Sequence, residues 1–140
     1  MRLNFTSSKY IIDAYAWIEY FRASKSGEVA KEYIECDDSI TPSIVVAEVS
    51  RKLQKEIELG HETPDGKLKR LEFISMTSQV MELDFELAVA AGKTACEMNK
   101  KAQGCGLADS IVLCTARNLK GKVVTGDEHF RALKEVIFIE

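Results

Sequence analysis

No stretch of the chain approaches the roughly 18 consecutive apolar residues that a membrane span requires, and the opening residues Met1 to Ser8 carry no long apolar core of a secretory leader. The cytoplasm is therefore the expected location. The four cysteines, Cys36, Cys96, Cys105 and Cys114, form no CxxC pair and no zinc-site spacing, so they read as buried or free thiols of a reducing compartment. Histidine is scarce: nothing forces His61 and His129 together, which argues against a metal-free mechanism run by a histidine pair. Internal repeats, low-complexity segments and linkers are all missing. So is an excess of positive charge, since a net charge of −3 excludes gripping nucleic acid with the whole surface. A local site remains open, with basic residues gathered at Arg51-Lys52, Lys67 to Arg70 and Lys100-Lys101, each run also readable as a solvated helix face.

A length of 140 residues and a hydrophobic content of 46% suit one domain over residues 1–140 with a full core. Lys9 to Asp13 is a short β-favouring run that passes straight into a helix-like segment, Ala14 to Phe21. Ser26-Gly27 breaks that pattern before a short helix, Glu28 to Glu35. Ser39 to Pro42 reads as a second strand, and Ser43 as the N-cap of a helix over Ile44 to Leu59. A helix marked by Leu68, Leu71, Phe73 and Ile74, a strand Gln79 to Leu83, and a long helix capped by Asp84 follow. The loop Gln103 to Gly106 delivers Leu107 to Ile111 into another helix, which Gly121 closes. Lys122 to Thr125 and Val136 to Ile139 are the last strands. Strands alternating with helices predict a parallel sheet of about five strands in a three-layer α/β/α sandwich.

Four carboxylates, Asp13, Glu48, Asp109 and Asp127, each fall where a strand ends or a helix begins. In a parallel sheet those ends share the edge where α/β proteins bind ligands. Carboxylates gathered there repel one another, and a divalent cation relieves that repulsion; oxygen ligands with retained waters suit Mg²⁺ or Mn²⁺. Such a site favours phosphodiester hydrolysis. Plainer roles compete: Asp13 and Asp127 as turn or cap residues, Glu48 as an exposed helix residue paired with Arg51 or Lys52, and Asp109 at the positive end of its helix. Asp37-Asp38 precede the second strand and belong to the opposite edge. Ser110 and Thr125 are accessory candidates, with helix-start hydrogen bonding and strand packing as alternatives.

The chain resembles the PIN-domain ribonucleases, especially VapC-type toxins of toxin–antitoxin pairs. The resemblance runs nearly end to end and rests on Tyr10 to Trp17, Pro42 to Val49, Leu107 to Val112 and Val124 to Phe130. It implies the sheet order 3-2-1-4-5 and a Mg²⁺- or Mn²⁺-dependent endoribonuclease. Asp13, Asp109 and Asp127 look like its metal-binding aspartates, with Glu48 as the fourth acid, in contact with metal directly or through water. Thr125 matches a supporting hydroxyl; Ala14 departs from the polar residue common after the first aspartate. A homodimer and a cognate antitoxin are implied as partners, with Trp17, Tyr20 and Phe21 as a candidate contact surface or simply core.

Three rivals fit less well. A receiver-like phosphoacceptor module wants neighbouring acids after the first strand and a lysine ending the fifth. An aspartyl-nucleophile phosphatase wants an acid where Tyr15 stands. A catalytically silent PIN-like binding module would have lost an acid, and all four are present. An RNA-processing nuclease without a toxin role stays open beside the toxin reading.

Overall fold

The computed structural model describes residues 8–101 and 104–140. Met1 to Ser7 and Gln103, which enter the sequence reading, lie outside them. The elements are β1 (Tyr10–Ile12), α1 (Ala14–Arg22), α2 (Lys25–Ile34), β2 (Ser39–Pro42), α3 (Ser43–Glu58) and α4 (Pro64–Thr77). After them come β3 (Gln79–Met81), α5 (Phe85–Lys101), α6 (Leu107–Leu119), β4 (Lys122–Thr125), a 3₁₀ turn (Glu128–Phe130) and β5 (Val136–Phe138).

Every strand pair is parallel, in the order β3-β2-β1-β4-β5. Ile11, Ile12, Val123 and Val124 are fully buried, as the two-faced burial of a central parallel strand requires. The chain steps from β1 to β2 to β3 in one direction, then crosses back to lay β4 and β5 on the other side of β1. Direction therefore reverses between β1 and β4, and at that reversal the loops at the carboxyl ends of the strands part to leave a crevice. α1 packs against α2 and α3, α3 against α4 and α6, and α5 against α6, which lies across β1, β2 and β4. Among the described residues, no helix is long and apolar enough to cross a membrane.

Several boundaries move for local reasons. Ser26-Gly27 does not break a helix: Ser24 is the cap, its hydroxyl accepting from the Gly27 N–H at 3.1 Å, and Gly27 sits in the first turn of α2. A Cβ at Gly27 would run into the carbonyl group of Glu19, so glycine here sets how closely α2 approaches the end of α1. Gly27→Ala is expected to destabilise the fold by about 1–3 kcal/mol; a denaturant midpoint unchanged from the natural chain would contradict the close approach. Ser43 is not a cap either, because Pro42 ends β2 and occupies the cap position with an extended backbone, leaving Ser43 as the first helical residue. Gly121 does not supply the left-handed residue after α6. Lys120 does, at φ 53°, while a side chain at Gly121 would strike the Lys9 carbonyl. The third and fifth strands end at Met81 and Phe138, short of the expected Leu83 and Ile139. Asp84 does cap α5, accepting from the Leu87 N–H at 2.8 Å.

Trp17 is wholly buried, so of its two readings, contact surface or core, core is the one that holds. Its indole N–H donates to Thr41 Oγ1 at 3.0 Å, and that hydroxyl pairs with Ser78 Oγ at 2.7 Å. Ser39 Oγ donates to the same Ser78 hydroxyl at 2.9 Å, so the polar groups behind the sheet satisfy one another. Tyr20 and Phe21 are half-buried and pack with Trp17 and Phe73 as an aromatic cluster.

Candidate acid site at the strand-switch edge

Asp13 follows β1 and occupies the cap position before α1, but its side chain makes no cap hydrogen bond, so its carboxylate is free to turn inward. The residue is 5% exposed, and its backbone N–H donates to the Val124 carbonyl at 3.1 Å, tying it to the neighbouring strand across the switch. Thr125, the last residue of β4 and wholly buried, donates its hydroxyl to Asp13 Oδ2 at 2.8 Å. The same hydroxyl oxygen accepts the Asp127 N–H at 3.0 Å. One threonine thus positions two of the acids. Burial raises the Asp13 carboxyl to about 7, with Glu48 and Asp109 adding repulsion while the Thr125 hydrogen bond opposes the rise.

Asp109 lies in the first turn of α6, where its Oδ2 accepts the Gly106 N–H at 3.2 Å. Burial pushes its pKa up, helped by the charge of Asp127 and opposed by the Gly106 N–H and His129. Asp127 caps the 3₁₀ turn through its Oδ1, which accepts the His129 N–H at 2.9 Å.

Glu48 is half-buried on α3, not exposed, and no ion pair to Arg51 or Lys52 forms among the described residues. Lys52 reaches Glu56 instead, at 3.5 Å. Burial raises the Glu48 pKa, and Asp109 and Asp127 add to the rise while Arg51 opposes it. The surface-pair reading of Glu48 therefore gives way: its field is shared with the three aspartates.

Ser110 is directed elsewhere. Its buried hydroxyl donates to Met98 Sδ at 3.5 Å and to the Gly106 carbonyl at 3.4 Å, the hydrogen bonding of a helix start. His61 lies just beyond the C-terminal end of α3, with Nδ1 3.1 Å from Glu56 Oε2.

His129 was missed as a site residue. Its Nδ1 lies 3.2 Å from Asp109 Oδ2 and 3.5 Å from Asp127 Oδ1, so the imidazole bridges two of the acids. The signal was present in the spacing, since a residue two beyond Asp127 in a tight turn faces the same edge. Cys105 was missed too, although it stands in the loop that delivers Asp109. It is 5% exposed, and burial together with Asp109 and Asp127 pushes its thiol pKa up.

The four carboxylates interact through their charges, yet no three of them bring oxygens within 4.8 Å of one another; among the described residues only Cys105, Asp109 and His129 form a set that close. The acids thus border a common space wider than a closed ligand cage, as suits a cation that keeps several waters.

A five-stranded parallel sheet with carboxylates gathered at its switch point defines an α/β protein of the kind whose ligand crevice lies outside the carboxyl ends of the strands. Within that class the chain belongs to the PIN domain family, which matches residues 10–136. Among solved structures it is similar to a toxin–antitoxin complex from Klebsiella pneumoniae, at 18% identity and TM-score 0.71, over 96% of this chain and 98% of that one. It is also similar to DNA-bound VapBC from Salmonella typhimurium, at 18% identity and TM-score 0.71, over 94% and 97% of the two chains. A third similar structure is VapC20 of Mycobacterium tuberculosis, described as a sarcin-ricin loop cleaving toxin, at 15% identity and TM-score 0.70, over 91% and 97%. Among curated proteins, none matches.

Proposed function

We propose that the chain is a divalent-metal-dependent endoribonuclease whose single domain spans residues 1–140, and that it is the toxin of a toxin–antitoxin pair. One observation carries the reading: Asp13 lies buried at the strand-switch edge with the Thr125 hydroxyl on its Oδ2, where burial, with the charges of Glu48 and Asp109, pushes its carboxyl up to about 7. An acid kept so far above its ordinary value in a cluster of like charges is a group prepared for a cation.

The donor set fits Mg²⁺ or Mn²⁺, since Asp13, Glu48, Asp109 and Asp127 offer carboxylate oxygens alone. Bound there, such an ion would neutralise the acids, activate water and stabilise charge on phosphoryl oxygens during in-line attack. Asp13, Asp109 and Asp127 are its proposed ligands, with Glu48 in contact directly or through water. Thr125 holds the carboxylate of Asp13 and the backbone of Asp127 in register, and His129 orients Asp109 through its Nδ1 contact. Thr125→Val is expected to lower cleavage ten- to a hundredfold, with Thr125→Ser restoring most of it. Equal rates for Thr125→Val and the natural chain would remove the threonine from this role.

An antitoxin as partner is supported by the toxin–antitoxin complexes among the similar structures, and RNA as substrate by the similar sarcin-ricin loop cleaving toxin, while the homodimer is proposed on the family resemblance alone. An acidic pocket also favours an Arg or Lys inserted by such a partner. The purified chain is expected to cut RNA with Mg²⁺ or Mn²⁺ and to stop in EDTA; undiminished cleavage in EDTA would exclude the metal mechanism. Expression is expected to arrest growth, and arrest that persists in Asp109→Asn would point to another activity.

A further inference from the structure

A second donor set converges at the flank of the acid site, and its chemistry differs from that of the four carboxylates. Cys105 Sγ, a carboxylate oxygen of Asp109 and a ring nitrogen of His129 all lie within 4.8 Å of one another. They come from three places in the chain: the loop before α6, the first turn of α6 and the 3₁₀ turn after β4. Tetrahedral zinc, with bonds of about 2.3 Å to sulfur and 2.0–2.2 Å to nitrogen or oxygen, sets neighbouring donors roughly 3.3–3.7 Å apart. Closing the set from the distances present requires side-chain movements of about an ångström.

The backbone around the set is held in place. Asn99 Nδ2 donates to the Cys105 carbonyl at 2.9 Å, the Gly106 N–H donates to Asp109, and the His129 N–H donates to Asp127. Gly104 contributes both by its left-handed backbone, φ +90°, and by its missing side chain, because a Cβ there would come within 3.3 Å of His129 Nε2. Cys105 Sγ makes no hydrogen bond among the described residues, unlike the buried Cys114, whose thiol donates to Thr94. Sulfur, imidazole and a single carboxylate form a softer set than four acids and select zinc-like ions over Mg²⁺.

We propose that Cys105, Asp109 and His129 form a binding site for a thiophilic divalent cation of the Zn²⁺ class, distinct from the all-carboxylate site and sharing Asp109 with it. Three protein ligands leave a fourth position for water. Binding deprotonates the thiol, the proton going to solvent as the Cys105–metal bond forms. With Asp109 committed to the softer ion, the four-acid set loses a member, so Zn²⁺ inhibits cleavage. That inhibition rests on the nuclease reading; the binding does not.

The test titrates the full chain with Co²⁺, a spectroscopic substitute for Zn²⁺. Expected is a saturable thiolate-to-cobalt absorption at one equivalent, bleached by Zn²⁺, absent in Cys105→Ser and weakened at least tenfold in His129→Ala. It is expected to persist in Asp13→Asn and in the Cys36→Ser/Cys96→Ser double variant. As a check independent of whether Cys105→Ser folds, Zn²⁺ is expected to slow alkylation of Cys105 in the natural chain while leaving exposed Cys96 reactive. A band that survives Cys105→Ser, no band in the folded natural chain, or equal alkylation with and without Zn²⁺ would overturn the site. Zn²⁺ is further expected to inhibit Mg²⁺-dependent cleavage in the natural chain but not in Cys105→Ser. A cobalt band in a chain that cuts no RNA would uphold the site and reject the nuclease reading.

Discussion

Asp13→Asn is expected to lower Mg²⁺-dependent RNA cleavage by at least about a hundredfold, the scale on which losing one charge-stabilising group slows an enzyme. The substitution preserves shape, and the amide oxygen still accepts the Thr125 hydroxyl that donates to Asp13 Oδ2 at 2.8 Å, so the fold survives. What disappears is the negative charge at the most buried point of the cluster. Asp109→Asn is expected to act alike, because Asp109 joins α6, Gly106 and His129 to the same space. Cleavage within threefold of the natural chain, in a variant that melts cooperatively, would contradict the assignment.

The second large effect has the opposite sign. In the metal-free chain the Asp13 carboxyl sits at about 7 when folded, whereas in the unfolded chain it titrates near 4. Between those values the folded state holds a proton that the unfolded state has released. Asp13's contribution to stability is therefore fully present below about pH 4 and is lost as pH rises to about 7. The loss amounts to at most about 4 kcal/mol. Glu48 and Asp109, whose pKa values are also raised, add to it in the same direction. Asp13→Asn removes the Asp13 part of this slope, so the inactive variant is expected to be more stable than the natural chain at pH 8 and similar near pH 4. Mg²⁺ or Mn²⁺ favours the ionised acids and is expected to stabilise the natural chain more at pH 8 than at pH 5. Urea unfolding across that range checks both statements, and a natural chain that gains stability from pH 5 to 8 without metal would oppose them. The trade is a familiar one, in which a site held ready for its ligand lowers the stability of the fold that carries it.

Alternating strands and helices made the parallel sandwich legible, because β-branched runs such as Ile11-Ile12 and Val123-Val124 have no other way to bury both faces. The strand order came through the family resemblance and not from periodicity, which says nothing about which strands are neighbours. Asp13, Asp109 and Asp127 stood out because strand and helix ends mark one edge of such a sheet. Glu48 was harder to place: a helix-borne acid near Arg51 and Lys52 looks the same in sequence whether it faces solvent or a cleft, and only packing turned it inward. Gly27 resembled a helix breaker, since close contact between α1 and α2 leaves no local trace. Lys120 in the left-handed position displaced the expected Gly121 for a similar reason, because Gly121 is needed against the Lys9 carbonyl. His129 and Cys105 escaped notice because each was weighed against its own kind, histidine with histidine and cysteine with cysteine, when their actual neighbours are carboxylates.

The central claim is that the four acids together hold a hard divalent cation. Its most direct test is Mn²⁺ binding at pH 8, read as loss of the free-ion paramagnetic resonance signal. The natural chain and Cys105→Ser are expected to bind Mn²⁺ saturably and with similar affinity, whereas Asp13→Asn and Asp109→Asn bind at least tenfold more weakly. Equal Mn²⁺ binding by all four proteins, or none by the folded natural chain, would contradict it.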